Sequence, residues 1–247
     1  MIEKNYCIFV QARMSSSRSP GKVIEDILGK PMILRQLERL RNANKDIDIV
    51  CVTSTDTKDN LIEKVCSENN FNCFRGSLDN VLDRYISAAK FYKVENIIRI
   101  GGDDPLVDVD QINILINEHK KTDADFLFTS HTNGWPLGCV AELISVRKLQ
   151  EMSSKTVDPL YLEHIIPWFH HNQNDFRYVP VNSPNHLRRP DYYFTVDYPE
   201  DLVVVKSIFE KLLVHGDYFT FQDVIQLCDE DPKILNINKH LHAGFDL

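Results

Sequence analysis

The strongest limit on what this chain can become is the alternation of short apolar runs with longer stretches of helical period. Residues 6–12 (YCIFVQA), 46–54 (DIDIVCVTS), 71–76 (FNCFRG) and 124–130 (ADFLFTS) are rich in Ile, Val, Phe and Cys and read as strands. Residues 96–105 (NIIRIGGDDP) form a further buried run that ends abruptly in two glycines, two carboxylates and a proline. Between these runs, Pro31 can open a helix with Ile33, Leu34, Leu37 and Leu40 on one face, and Leu61, Ile62, Val65 and Cys66 share a face within 59–70. Helices are expected again over about 80–92 and over 110–120. Such an order is the mark of βαβ units, so an α/β fold with a largely parallel sheet is expected.

From residue 131 the pattern changes. HTNGWPLGCVAELISV is turn-rich and feeds a strand, while DPLYLEHIIPWFHH reads as a helix interrupted at Pro167. FRYVPVN and YYFTVD read as paired strands near an edge or in a lobe, since Pro180 would be awkward in a central strand. Residues 198–213 and 220–231 have the spacing of amphipathic helices that pack back on the sheet. No repeat or low-complexity linker divides the 247 residues, of which 43% are hydrophobic, so 1–247 reads as a single domain with an inserted lobe at about 131–190.

The formal net charge of -8 argues against a wide electropositive surface for nucleic acid. Positive charge is instead local: residues 11–45 hold eight Lys or Arg against three acids. Arg35, Arg39 and Arg41 within that stretch are expected on the wet face of a helix. The six cysteines are scattered without zinc-type spacing and read as reduced thiols filling core gaps. No run of apolar residues is long enough for a membrane span, and the opening MIEKNYCIFV is too short and too charged for a signal peptide. A cytoplasmic protein is expected.

In an open α/β sheet, ligands bind at the carboxyl ends of the strands. Three features should arrive there: the basic loop after the first strand, the GGDDP turn, and Asp197 at the end of YYFTVD. The loop, VQARMSSSRSPGK, offers Arg forks, a Lys, serine hydroxyls and a glycine that permits close backbone approach, which together suit a phosphate. Its spacing matches neither the P-loop nor the dinucleotide fingerprint. Two aspartates from distant parts of the chain beside such a loop suit Mg²⁺, which takes one or two carboxylates plus phosphate oxygens and water. Taken alone, each element also has an ordinary reading, as a solvated loop, a polar turn and a helix cap.

Read together, QARMSSSRSPGKV, FRGSLDNVLDRY, RIGGDDPLVD, YLEHIIP and TVDYPEDL resemble, in order, the motifs of SpsF-like cytidylyltransferases, relatives of CMP-Kdo and CMP-sialic acid synthetases. The resemblance covers about residues 6–210. It implies a Rossmann-like αβα nucleotidyltransferase fold that uses CTP and Mg²⁺ to give a CMP-linked product and pyrophosphate. It places Ala12, Arg13, Ser17, Arg18, Lys22, Arg84 and Gly102 on the nucleotide side. Arg13 and Lys22 would stabilise the leaving pyrophosphate, and Asp103 and Asp197 would hold the metal, with Asp103 counted among the catalytic residues. An ion pair within its own helix is the other reading of Arg84.

The chain departs from the family where Ser15 stands in place of the usual Gly and Ser19 in place of a frequent Leu. The acceptor segment matches only at Pro136, Gly138 and Glu142, to which Glu163 and His164 are added as acceptor-side candidates. Trp135 and Arg188–Arg189 are further candidates for an acceptor pocket, with an ion pair at the sheet edge as the other reading of Arg188. His131, His170 and His171 lie in the same stretch, and His170 and His171 read as surface or helix-packing residues. The acceptor should be small and anionic: a sugar acid, a sugar phosphate or a phosphorylated or phosphonate metabolite, destined for surface polysaccharide. The resemblance also implies homodimerisation through the inserted lobe, which LYLEHIIPWF would suit, with burial of that segment within the monomer as the other reading. Two rival readings are a metal-dependent nucleotide-sugar glycosyltransferase and a non-catalytic nucleotide-binding protein.

Overall fold

The computed structural model describes residues 6–242 apart from 17, 44, 45, 108 and 217. Along the chain come β1 (Tyr6–Gln11), a small hairpin of β2 (Asp26–Ile27) and β3 (Lys30–Pro31), α1 (Met32–Ala43), β4 (Asp48–Ser54), α2 (Asn60–Glu68) and β5 (Asn72–Gly76). Then follow α3 (Val81–Tyr92), β6 (Asn96–Gly101), α4 (Val109–Thr122), β7 (Phe126–Phe128), β8 (Glu142–Ser145) and α5 (Val146–Lys155). The remainder holds α6 (Pro159–Glu163), α7 (Ile165–His171), β9 (Tyr178–Pro180), α8 (Pro199–Leu212), α9 (Phe221–Glu230) and α10 (Lys233–Asn236). Seven strands form one sheet in the order β5-β4-β1-β6-β8-β7-β9. Every pairing in it is parallel except those of β8, which runs against both β6 and β7.

Period-two alternation along the central strands divides the core into two layers. In β1, Ile8 and Val10 face one layer while Cys7 and Phe9 face the other; in β4, Ile49 and Cys51 are set against Val50 and Val52. The first layer is closed by apolar stripes from α1, α2, α4, α8 and α9, the second by α3, α5 and α7. A sheet covered on both faces explains why its strands read as nearly continuous apolar runs. Truncating a fully buried member such as Leu37 to Ala would cost about 2–5 kcal/mol. The six cysteines are free thiols, five of them buried, as expected.

Most early elements lie where the sequence places them. Asn80 caps α3 by accepting a hydrogen bond from the Asp83 amide at 2.8 Å, and α1 begins one residue after Pro31. Four features differ. The break in the DPLYLEHIIPWFHH helix falls at His164, whose φ of -115° and ψ of 86° separate α6 from α7. Pro167 instead lies in the first turn of α7, where an absent N–H is no loss. Second, FRYVPVN and YYFTVD are not paired with each other. The first supplies the edge strand β9 against β7, whereas residues 192–194 bond to Leu137, whose amide donates to the Tyr192 carbonyl at 3.0 Å and whose carbonyl accepts from the Phe194 amide at 2.8 Å. Third, α5 follows β8 without a loop, its narrow stripe of Val146, Leu149 and Met152 hidden among polar residues. Fourth, Arg39 is not on a wet face: it is buried, with its guanidinium 4.2 Å above the Phe219 ring. The stretch 131–190 contributes β8 and β9 to the sheet and places α6 and α7 along its second face.

Candidate active site

Three segments meet beyond the carboxyl ends of β1 and β6. The loop after β1 is tied down at both ends. The Ala12 amide donates to the Val52 carbonyl at 3.2 Å, and the Gly21 amide closes back on the Met14 carbonyl at 2.9 Å. Gly21 has φ of 79°, a conformation that glycine adopts without strain, and this turn starts the short helix that carries Lys22 inward. Asp59 fixes the loop from the side, accepting from the Met14 amide at 2.7 Å with one oxygen and from Thr53 and the Ser54 amide with the other.

The turn after β6 is fixed just as closely. Gly102 donates to the Gln11 carbonyl at 2.8 Å, and a Cβ at Gly102 would lie 2.8 Å from that same oxygen and 2.9 Å from the Ala12 Cβ. The fully buried Gln36 of α1 donates to the carbonyls of Gly101 and Asp104 at 2.7 and 2.9 Å. The third segment, residues 192–197, docks on this turn: the Val196 amide donates to the Asp103 carbonyl at 2.9 Å and the Thr195 hydroxyl to Asp104 Oδ1 at 2.9 Å. Gly138, with φ of 85°, makes the docking possible, because a side chain there would collide with the backbone of Phe194 and Thr195.

The result is a charge cluster built from distant parts of the chain. Lys22 Nζ donates to Asp103 Oδ2 at 2.7 Å and to Asp197 Oδ1 at 2.9 Å, so one ammonium bridges both carboxylates. Arg18 Nη2 also meets Asp197 Oδ1 at 2.9 Å, and the Tyr193 hydroxyl donates to Asp197 Oδ2 at 3.0 Å. Burial opposes the charge of Lys22, but Asp103 and Asp197 outweigh it and raise its pKa above the usual lysine value. Burial likewise opposes ionisation of Asp197, yet Lys22, Arg18 and Tyr193 hold it below the ordinary carboxylate value. Tyr193 is driven upward, by burial and then by Asp197. Asp104, buried and next to Asp103, is pushed well above the usual value and faces Thr195 rather than the cluster. Asp201 anchors the following turn by accepting from the amides of Asp197 and Tyr198 at 3.0 and 2.8 Å, and is itself held by Asn238 and His242 at 2.9 and 2.8 Å.

The other expected site residues are distributed around this cluster. Arg13 pairs with Glu163 at 2.8 Å, and that guanidinium holds Glu163 below its ordinary pKa. His164 is exposed beside it. Arg84 is buried and donates to the Ser77 and Leu78 carbonyls at 2.8 and 2.9 Å, so it braces the β5–α3 loop rather than pairing within its own helix. Glu142 is buried in β8 and paired with Arg99 at 2.9 Å, directly across from it in β6. Pro136 and Gly138 belong to the loop that supports residues 192–195.

Trp135 is a core residue whose indole donates to the Val181 carbonyl at 2.9 Å, so it does not line a pocket. Arg188 lies over Gly134, and it is Arg189 that pairs with a carboxylate, that of Asp229. His170 and His171 bond to the hydroxyls of Tyr178 and Tyr161 and serve helix packing as expected. Ser17 lies outside the described residues. Sequence reasoning missed Tyr193, Thr195, Asp201, Gln36 and Asp59. The spacing of YYFTVD, with alternate residues aimed at the turn, was the available sign for the first two; Asp59 reads as an ordinary helix cap.

The donor set suits a divalent metal delivered with its substrate. Among the described residues no group of three or more His, Cys, Asp or Glu could itself hold a metal. Two carboxylates already gathered around a cation match the partial protein coordination that Mg²⁺ accepts when phosphates supply the rest.

A family model for cytidylyltransferases matches residues 7–239. The chain belongs to the cytidylyltransferase family. Spore coat polysaccharide biosynthesis protein SpsF of Bacillus subtilis is 29% identical over 228 residues, covering 90% of this chain and 93% of that one. An uncharacterized protein of Methanocaldococcus jannaschii is 30% identical over 94% of this chain and 93% of its own length. The structure of a cytidylyltransferase from Leptospira borgpetersenii matches this cytidylyltransferase with a TM-score of 0.87 at 27% identity, covering 94% of this chain and 97% of that one. CMP-2-keto-3-deoxy-manno-octonic acid synthetase shares the fold, with a TM-score of 0.63 at 17% identity over 84% of this chain and 99% of that one. The nucleotidyltransferase fold implied by the five motifs is thereby established.

Proposed function

We propose that this cytidylyltransferase transfers CMP from CTP to a small acidic or phosphorylated acceptor, releasing pyrophosphate, in the biosynthesis of a surface polysaccharide or glycoconjugate. The observation that carries the reading is the meeting of Lys22 with both Asp103 and Asp197, which gathers the basic loop and the two acids at one sheet edge. The relation to SpsF and to 3-deoxy-manno-octulosonate cytidylyltransferases supports the choice of acceptor class and of polysaccharide synthesis.

An anionic acceptor oxygen attacking the α-phosphorus of CTP requires little covalent work from the protein, so positioning and charge neutralisation carry the rate. Arg18, whose side chain is exposed, can exchange Asp197 for phosphate oxygens, and the buried Lys22 can follow as the polyanion enters. Arg13 can leave half-exposed Glu163 in the same way. Each exchange frees a carboxylate while a polyanion takes the cation. Mg²⁺ held by Asp103 and Asp197 would neutralise charge on the phosphates. Tyr193 keeps Asp197 oriented throughout, because it holds the oxygen that Lys22 does not. Gly102 lets substrate approach the end of β1 closely, where any side chain would already be crowded. Glu163 and His164 lie beside Arg13 and would meet the acceptor; a homodimer formed through α6 and α7, where Leu160 is exposed, belongs to the same proposal. No helix among the described residues is long and apolar enough to cross a membrane.

The test is incubation with α-labelled CTP and Mg²⁺ across a panel of sugar acids, sugar phosphates and phosphonates. Pyrophosphate released only in the presence of an acceptor, with label in the product, is the expected result. Tight CTP binding without release for any acceptor, or nucleoside diphosphate released from a nucleotide sugar, would overturn it.

A further inference from the structure

Three of the six cysteines come together in the first core layer, away from the catalytic cluster. Cys51 of β4 and Cys73 of β5 are direct register partners on adjacent parallel strands, so their side chains leave the same face of the sheet. Neighbouring strands stand about 4.8 Å apart, inside the roughly 4.4–6.8 Å that separates the Cα atoms of disulfide-bonded cysteines. Cys66, in the last turn of α2, is brought to the same place: the Phe71 amide donates to the Cys66 carbonyl at 2.9 Å and turns the chain from the helix into β5. Cys51 and Cys66 are fully buried, whereas Cys73 packs against them from the edge strand and is partly open to solvent. The three thiols hydrogen-bond to one another, and the bonds have a direction. Cys51 and then Cys66 donate to Cys73 and hold it below the ordinary cysteine value. The same contacts with Cys66 and Cys73, together with burial, raise Cys51 well above that value. Nearby charge is divided: Glu63 opposes the Cys73 thiolate and Arg75 favours it, and those two are paired at 2.7 Å. One accessible sulfur that ionises readily thus touches two that stay protonated, the setting of a reactive thiol with a resolving partner.

We propose that Cys73 is a thiol reactive towards hydrogen peroxide that closes a reversible disulfide onto Cys51. The Cys73 thiolate sulfur attacks one peroxide oxygen, the O–O bond breaks, and the departing hydroxide takes a proton to become water. Sulfur is oxidised to the sulfenic acid and the peroxide is reduced. The Cys51 sulfur then displaces the sulfenic oxygen, which leaves with the Cys51 proton as a second water while the S–S bond forms. Two thiols and one peroxide give one disulfide and two waters, and an added dithiol restores both thiols by exchange. Cys66 approaches from a helix rather than in strand register and keeps its thiol. None of these residues belongs to the catalytic cluster, so the proposal stands apart from the CTP reading.

The experiment treats the full chain with one equivalent of hydrogen peroxide, alkylates the remaining thiols under denaturing conditions and maps the peptides by mass spectrometry. A disulfide joining Cys51 to Cys73 is expected, lost on treatment with dithiothreitol, while Cys7, Cys66, Cys139 and Cys228 are recovered alkylated. The double variant Cys51→Ala/Cys66→Ala should instead stop at the sulfenic acid, which dimedone traps on Cys73. Cys73→Ser, a near-isosteric change at a partly exposed edge position, should consume peroxide about tenfold more slowly at an unchanged melting temperature, the scale expected for losing an ionised thiol. The wild-type map and Cys73→Ser decide the matter should the double variant fail to fold. Cys73 oxidised no faster than the buried cysteines, a disulfide made through Cys66 instead of Cys51, or Cys73→Ser consuming peroxide at the wild-type rate would overturn the proposal.

Discussion

Replacing Lys22 by Met keeps the length of the side chain and deletes the ammonium that joins two carboxylates. Removing one partner of a buried ion pair costs about 3–5 kcal/mol, because the other charge is left without compensation. Here Asp197 keeps Arg18 and Tyr193, and the side chain of Asp103 is 30% exposed, so water relieves part of the loss. The expected destabilisation is about 2–3 kcal/mol, or roughly 4–12 °C in melting temperature for a domain of this size. The same deletion removes a preorganised positive charge from the proposed reaction centre, which should lower kcat by about a hundred- to a thousandfold. Differential scanning fluorimetry with and without Mg²⁺, together with a coupled pyrophosphate assay, reads both quantities. Mg²⁺ without nucleotide should stabilise Lys22→Met more than wild type, because no ammonium then competes for the carboxylates. A variant that melts and turns over like wild type would show that the bridge has no part in stability or catalysis. A variant indifferent to Mg²⁺ even with CTP present would refute the shared metal site.

Three further outcomes follow from neighbouring residues. A carboxyl whose pKa rises on folding, as burial and Asp103 cause at Asp104, favours the folded state below its unfolded value of about 3.9 and costs stability as pH climbs above it. Asp104→Asn should therefore gain melting temperature over wild type between pH 4 and pH 7, and a gain that shrinks over that range contradicts the assignment. Tyr193→Phe removes the hydroxyl that orients Asp197 and should lower kcat about tenfold with little loss of stability, as steady-state kinetics beside urea unfolding would reveal. Gly138→Ala combines a left-handed backbone with a collision against Phe194 and Thr195, so urea unfolding should register a loss of about 2–4 kcal/mol together with lost turnover.

Local periodicity carried most of the fold, because each early strand and helix declares its own face. The central strands are covered on both sides, so unbroken runs such as CIFV and IVCV mark them clearly. The elements that escaped are those decided by partners elsewhere. YYFTVD has the composition of a strand, yet Leu137 and the Asp103–Asp104 turn claim its hydrogen bonds. Val146–Lys155 begins directly after β8, so no turn residue announces it. At the site, Lys22, Asp103 and Asp197 were legible because the loops at the carboxyl ends of the strands converge there and because the motifs that carry them resemble, in order, those of a known family. Gln36 and Asp59 were not, since their work is to satisfy backbone groups that only the assembled chain brings near. Arg39 shows the same limit: its helical position faces solvent until the Tyr218–Phe219 segment covers it.

The grip of Asn238 and His242 on Asp201 links the helical turns after α10 to the candidate active site. A protein cut after α9 would retain every strand, and its sheet would give no sign of injury by circular dichroism. Yet the carboxylate that fixes the Asp197 amide would have lost two of its holders. Trimming or fusing anything near that tail should therefore disturb the proposed site, and affinity handles for purification belong at the opposite terminus.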